Sequence, residues 1–318
     1  MDQTNLRLRS LFFRYSNERE GRVREKGARF VYYTTAQTAA RILENKEIWM
    51  RNVTTMNDFM EAQYGWRCLT AAYNGAPGAR LRELLTPHFP DLFSQLQSRF
   101  NDWSPHFLTS TYITCVSEHL SSEDRTGRLS MWRAYGAGSG VAIVFNSGPF
   151  FADTDALKAY SSPVAYLSEQ GFADQFSGVV DGLAANIDFL REQREQEVFS
   201  WLFTMMRYAV VSTKHEGFAE ELEWRVVHSP KLEPSNRLIC SVETIRGIPQ
   251  RVYKIPLQDA PAENLVGIEI PQLVERIIIG PTQFAYATAD AIHLLLEKAG
   301  VADAGRKIVI SDIPLRTL

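Results

Sequence analysis

Hydrophobic and polar positions along this chain switch between a helical period and a strand period, and the switches mark its elements. Leu8, Leu11, Phe12 and Tyr15 recur at helical spacing and predict an amphipathic helix over residues 3–20. Phe30-Val31-Tyr32-Tyr33-Thr34 is β-branched and aromatic, so a strand is expected there. It runs into Thr34-x-x-Gln37, a capping-box pattern followed by Ala36, Ala39, Ala40 and Leu43 at helical period. Residues 47–51 read as a short strand. Asn57-Asp58 then opens a helix, because Asn caps well and Asp suits the positive first turn; Phe59, Ala62 and Trp66 mark its buried stripe. Pro87 and Pro90 divide the helical pattern of residues 78–100 into a kinked pair.

Residues 109–117 are strand-like, and residues 127–145 read as a short helix around Leu129 to Arg133, a Gly-rich turn and a buried strand at 141–145. Helical character returns over 169–211. Strands follow near 222–228, 238–245, 251–256, 264–270 and 274–280, with a helix over 287–298 and a strand at 307–311. These elements define an α+β fold. The expected organisation is a basic helical arm over residues 1–28 and a single α+β domain over 29–318, with a helical insert at about 150–215. No repeat period or low-complexity tract is evident.

Composition narrows the class of protein. The 318 residues are 45% hydrophobic and 22% charged, which excludes a disordered, collagen-like or coiled-coil chain. Lys and Arg number 34 against 37 Asp and Glu, a net charge of -3, so no global positive field recruits nucleic acid or an anionic membrane. The first thirty residues carry eight Lys/Arg and four acids, a local net of +4. Cys68, Cys115 and Cys240 are too few and too widely spaced for a disulfide scaffold or a zinc knuckle, which fits a reducing cytoplasm. Charges interrupt the apolar residues at the start, and no later stretch reaches the roughly 18 apolar residues of a membrane span. The expectation is a cytoplasmic protein without membrane contact.

Several chemistries lack their motifs. There is no G-x-x-x-x-G-K-[ST], and Gly136, Gly138 and Gly140 precede a strand where a dinucleotide fold needs a helix. H-E-x-x-H and C-x-x-C are missing and the six histidines are scattered, so no metal site is expected. Ser139 sits among glycines but lacks the Gly two positions before and two positions after it that a nucleophile elbow uses.

Residues 221–226 are the most informative segment. Strand alternation would place Glu221, Glu223 and Arg225 on one face and Leu222, Trp224 and Val226 on the other, so an apolar side anchors two projecting carboxylates and a guanidinium. In a cleft such carboxylates divide labour, one stabilising positive charge that develops on a sugar and the other orienting a nucleophile. A solvated sheet face screened by Arg225 is the plainer alternative. Tyr32, Tyr33 and Thr34 end a strand where two rings and a hydroxyl can meet a flat heterocycle and its ribose, or serve simply as core, surface and cap. Asn57 and Glu61, at i and i+4, share one face of a helix start and with Asp58 could hold a ribose or a target group, although capping explains Asn57 and Asp58. Ser117 at a strand end, with Trp132 and Tyr135 on a short helix, could supply pocket walls; a Trp is more often core.

Five ordered motifs carry a family resemblance: Val31-Tyr32-Tyr33-Thr34-Thr35, Met56-Asn57-Asp58-Phe59-Met60-Glu61, Cys115-Val116-Ser117, Met131-Trp132-Arg133-Ala134-Tyr135 and Glu221-Leu222-Glu223-Trp224-Arg225. In this order they resemble the bacterial domain of unknown function 2971, from about residue 29 to the closing strand. The opening motif and the late Glu-x-Glu also resemble those of ADP-ribosyltransferases. That likeness implies a mixed, largely antiparallel sheet core with flanking helices, and NAD as substrate. It implies Tyr32, Tyr33 and Thr34 against nicotinamide and its ribose, Ser117 in the middle strand, Glu223 as the catalytic carboxylate and Glu221 orienting the acceptor. Tyr32 stands where the pattern normally has His. The implied function is ADP-ribosyl transfer to a protein or nucleic acid, or NAD hydrolysis, in a bacterial toxin or antiphage effector. Two other readings stay open: a metal-dependent nuclease collecting Mg²⁺ with Asp58, Glu61, Glu221 and Glu223, and a non-catalytic nucleotide-sensing module.

Overall fold

Residues 141–145 carry no polar side chain, so a strand built from them needs cover on both faces. The computed structural model supplies that cover, and it describes residues 2–56, 60–136 and 138–314, the side chains of 60–62 lying outside the description as well. In chain order the helices are α1 (Gln3–Phe12), α2 (Arg14–Glu25), α3 (Ala36–Asn45), α4 (Met60–Asn74), α5 (Ala76–Leu85) and α6 (Leu92–Thr109), then α7 (Leu129–Tyr135), α8 (Glu169–Ala185), α9 (Ile187–Leu190), α10 (Glu195–Val211), α11 (Ile270–Leu273) and α12 (Ala285–Lys298). The strands are β1 (Arg29–Thr35), β2 (Glu47–Asn52), β3 (Tyr112–His119), β4 (Gly140–Phe145), β5 (Ala159–Pro163) and β6 (Ala165–Tyr166), then β7 (Thr213–Lys214), β8 (Glu223–His228), β9 (Ile239–Ile245), β10 (Ile248–Pro256), β11 (Val274–Ile279) and β12 (Ile308–Ile310). The fold is mixed α+β with a largely antiparallel open sheet.

The chain packs as two units. A sheet unit comprises Val23–Arg51, Tyr112–Ser161 and Glu220–Leu318. Its strands run β12-β11-β4-β1-β3-β2-β10-β9, with β8 off this path and paired to β3 and β5. Among the pairings whose register is given for this sheet, β11 with β12 is parallel and the others are antiparallel. One face carries Phe30, Val116, Ile143, Trp224 and Ile277 under Ala39, Ile42 and Leu43 of α3 and Ile292 and Leu296 of α12. The other carries Val31, Tyr33, Ala142, Val144 and Ile278 against Met131 and Trp132 of α7. Each large apolar side chain so buried stabilises by roughly 1.5–3 kcal/mol. A one-residue slip of β4 would exchange its two faces, so the packing fixes the register.

A helical unit comprises Met1–Arg22, Asn52–Thr111 and Ser162–Ala219. Leu8 and Phe12 of α1, Phe172 and Phe176 of α8, and Leu202 and Met206 of α10 are buried. Gly65 lets α4 approach α10 closely, since a Cβ there would lie 2.3 Å from the Val210 carbonyl oxygen. β6 and β7 pair in parallel, Ala165 opposite Thr213. No described helix in the chain is long and apolar enough to cross a membrane.

Four expectations need correction. The helix expected over 3–20 divides at Phe13, whose φ of -114° ends α1. Thr35, not Thr34, caps α3, its hydroxyl accepting from the Thr38 N–H at 3.2 Å, because β1 extends to a Thr35–Gly140 pairing. The segment 264–270 is not a strand: Asn264 and Gly267 take left-handed conformations, and the Asp259 carboxylate accepts from the N–H groups of Gly267 and Ile268, making a turn. Finally, the strand near 222–228 begins at Glu223, after a 3₁₀ turn over Glu216–Glu221.

Candidate functional site

The last correction reshapes the acidic cluster. Leu222 has φ +48°, an uncommon conformation for a branched side chain, and it breaks the alternation that would have aligned Glu221 with Glu223. Glu223 and Arg225 do share a face of β8. Register places Ser117 opposite Glu223, Cys115 opposite Arg225 and Val116 opposite Trp224, so Ser117, Cys115, Glu223 and Arg225 form one polar strip across β3 and β8. Trp224, on the reverse face, donates through Nε1 to Glu118 Oε1 at 2.9 Å and packs edge-on against Phe30 and Phe151. That anchor fixes which way the strip points.

Ser117, Glu223 and Arg225 are each at least 93% buried. Arg225 Nε donates to Glu223 Oε1 at 2.7 Å, so the carboxylate meets a guanidinium two residues along its own strand. Two buried charges persist only when paired and hydrogen-bonded, and this pairing satisfies that condition for Glu223. Beside the strip, Tyr135 OH donates weakly to Glu221 Oε1 at 3.4 Å. Tyr135 of α7 and Glu221 thus meet.

The turn that carries Glu221 is held by a residue the sequence did not single out. Arg128 Nη1 donates to the carbonyl oxygens of Glu220 and Glu221 at 2.9 and 3.2 Å, and Nη2 donates to the Glu118 carbonyl at 2.9 Å. Its Nε and Nη2 also grip both oxygens of Glu123, at 2.8 and 3.1 Å. The Arg128 backbone N–H donates to Tyr33 OH at 2.8 Å. Nothing in the spacing of Glu123 and Arg128 announces this, because the partners are backbone oxygens that become neighbours only through the β3–β8 register. Adjacent to it, the fully buried His119 meets Asp124 through Nε2 at 2.9 Å, and Asp124 also pairs with Arg29 at 2.5 Å. Burial pushes the His119 imidazole below its ordinary value. Burial opposes ionisation of Asp124, but the hydrogen bonds from His119 and Arg29 outweigh it and hold its carboxyl low.

The early motif is divided by the sheet. Val31 lies opposite Ser117, so Val31 and Tyr33 share the face of the polar strip while Tyr32 and Thr34 share the reverse. Tyr32 packs against the large core of that reverse face, and burial pushes its phenol up. Tyr33 meets Trp132 edge-to-face at 4.9 Å and is a framework residue, its phenol pushed up to about 12 chiefly by burial. Trp132 is core: its Nε1 donates to the Thr126 carbonyl at 2.8 Å. A Cβ added to Gly127, Gly140 or Gly280 would come within 2.9 Å of its indole ring. Asn57 and Asp58 lie outside the described residues; Glu61 falls in α4, with its side chain outside them. Among the described residues no group of three His, Cys, Asp or Glu is placed to hold a metal ion.

The structure therefore brings together Ser117, Glu223 and Arg225 on paired strands, and Glu221 with Tyr135, within an α+β unit built on an open sheet. Residues 131–226 match the family described as protein of unknown function (DUF2971). This supports the family likeness over a segment running from α7 into β8, which contains Tyr135, Glu221, Glu223 and Arg225. No curated protein and no solved structure matches the chain, and the likeness to ADP-ribosyltransferases has no support from these comparisons.

Proposed function

We propose that the polar strip on β3 and β8 binds NAD or a related nucleotide, with Glu223 as the carboxylate that faces the ribose in an ADP-ribosyl transfer. The observation that carries this reading is the buried Glu223, held by Arg225 and set opposite Ser117 on a rigid strand pair. As the nicotinamide–ribose bond breaks, positive charge develops on the ribose, and a fixed carboxylate opposite it lowers the barrier. Arg225 orients Glu223 through the 2.7 Å hydrogen bond to its Oε1. Glu221, on the turn outside the strand and touching Tyr135, would orient an acceptor. Tyr32 and Thr34, on the reverse face, take no part.

A second reading, nucleotide sensing without turnover, is favoured by one feature: Glu223 already has a guanidinium partner, which diminishes its pull on a developing cation. Incubation of the full chain with NAD and cell lysate separates the two. Transfer predicts nicotinamide release and label entering protein, nucleic acid or free ADP-ribose. Sensing predicts an NAD-dependent rise in melting temperature with no release. Neither release nor a shift would refute both.

A further inference from the structure

We infer that two copies of this chain pair through β9, the strand at the open edge of the sheet, antiparallel and in one register, with Val242 of one copy opposite Val242 of the other. β9 is bonded to β10 on one side and ends the sheet on the other. Ile239 is 52% exposed and Val242 69%, and Cys240 and Thr244 are exposed as well. A bare edge is normally guarded by a proline, a lysine, a bulge or a short length. β9 has seven residues, neither proline nor lysine, and an unbroken register against β10.

The turn after β9 decides which of its main-chain groups face outward. Arg246 and Gly247 have φ of +53° and +82°, the positive pair of a type I′ hairpin, and Ile245 lies opposite Ile248. In a hairpin with a two-residue loop those flanking residues exchange both hydrogen bonds, so Ile239, Ser241, Glu243 and Ile245 direct their N–H and C=O groups at β10. Cys240, Val242 and Thr244 direct theirs away from the sheet. A second β9 centred on Val242 meets all of these groups: Val242 exchanges both bonds with its counterpart, and Cys240 exchanges both with Thr244 at either end.

Side chains select that register. It sets Ile239 opposite Ile245 and Ser241 opposite Glu243, apolar against apolar and hydroxyl against carboxylate. Centring the pair on Ser241 would put Ile239 opposite Glu243, and centring it on Glu243 would put two carboxylates face to face; both shorten the overlap. Charge does not oppose the approach. Glu243, the charged residue of the strand, already takes Lys254 Nζ at 2.8 Å and Ser241 Oγ at 3.1 Å, and Arg237 just before the strand is paired with Glu263.

The test is sedimentation velocity of the full chain under reducing conditions from about 1 to about 500 μM. So short a strand makes a small interface, and the parent should show a monomer–dimer equilibrium with a Kd of about 10–100 μM. Val242→Lys sets like charges directly opposite each other and should weaken the dimer at least about tenfold. A disulfide trap checks the register. Cα atoms of a hydrogen-bonded antiparallel pair lie about 5.5 Å apart, inside the disulfide range, so mild oxidation should link Val242→Cys into a covalent dimer. The parent's Cys240, offset from its counterpart by about 13 Å along the strand, should stay unlinked. The inference is overturned if the parent stays monomeric throughout, if Val242→Lys dimerises as well as the parent, or if the parent cross-links as fast as Val242→Cys. The parent measurement needs no variant, so a misfolded substitution does not protect the idea.

Discussion

Replacing Arg128 by Met removes five side-chain hydrogen bonds at once: two to Glu123, and one each to the carbonyls of Glu118, Glu220 and Glu221. The Arg128 and Glu123 side chains are 9% and 18% exposed, so little water is at hand to replace the lost donors. Breaking a buried pair by deleting one partner costs about 3–5 kcal/mol. Glu123 retains the Leu120 N–H at 3.2 Å, which places the expected loss near the lower end, about 3 kcal/mol. The damage should concentrate where the guanidinium ties β3 to the turn before β8. Hydrogen exchange read by mass spectrometry is the suitable assay, since a two-unit chain gives no guarantee of a single two-state transition. Amides in 220–228 should exchange about 100-fold faster, because each 1.4 kcal/mol is tenfold. Arg128→Lys should recover less than half of the loss, as one ammonium cannot reach acceptors spread around a planar fork. A change below about threefold for Met, or full recovery by Lys, would refute the role given to Arg128.

Other outcomes follow from particular contacts. Gly280→Ala puts a Cβ 2.8 Å from the Trp132 ring and 3.0 Å from the Gly140 carbonyl oxygen, so thermal unfolding should show a loss of about 1–3 kcal/mol. Trp224→Phe strips the buried Glu118 carboxylate of its indole donor and should cost about 2 kcal/mol by denaturant titration. His119 is held neutral by burial, with its folded pKa below the ordinary value of about 6.5. Its contribution is thus present above about pH 6.5 and is lost as pH falls, because the unfolded chain takes up the proton first. His119→Asn should flatten the decline in stability between about pH 7 and 5. Leu222→Val should destabilise by more than about 1 kcal/mol, since a β-branched residue tolerates a positive φ poorly, whereas Leu222→Gly should relieve that strain.

Much of the fold was legible because period and punctuation are local. The apolar run 141–145, the prolines between α5 and α6, and the switch from β1 to α3 all depend on near neighbours in sequence. Ser117, Glu223 and Arg225 were identifiable as polar residues on strand-like segments. Strand alternation already set Glu223 and Arg225 on one face, whereas bringing Ser117 to it needed the β3–β8 register, which no local pattern specifies. Tyr32 and Tyr33 illustrate the reverse: as consecutive strand residues they had to point to opposite faces, and treating them as one ligand-holding motif set that geometry aside. Leu222 could not be foreseen, since nothing about leucine signals a left-handed backbone. Arg128 was hidden for a different reason, because its acceptors are mostly main-chain oxygens and carry no sequence signature.

The central claim is that chemistry belongs to the face bearing Glu223 and not to the face bearing Tyr32. Measuring nicotinamide release from NAD by the parent protein, Glu223→Gln and Tyr32→Phe, each in lysate that supplies an acceptor, tests it most directly. The account predicts release by the parent, a fall of at least about 100-fold for Glu223→Gln and near-parent release for Tyr32→Phe. Parent-level release by Glu223→Gln, or a loss in Tyr32→Phe as deep as that in Glu223→Gln, would contradict it.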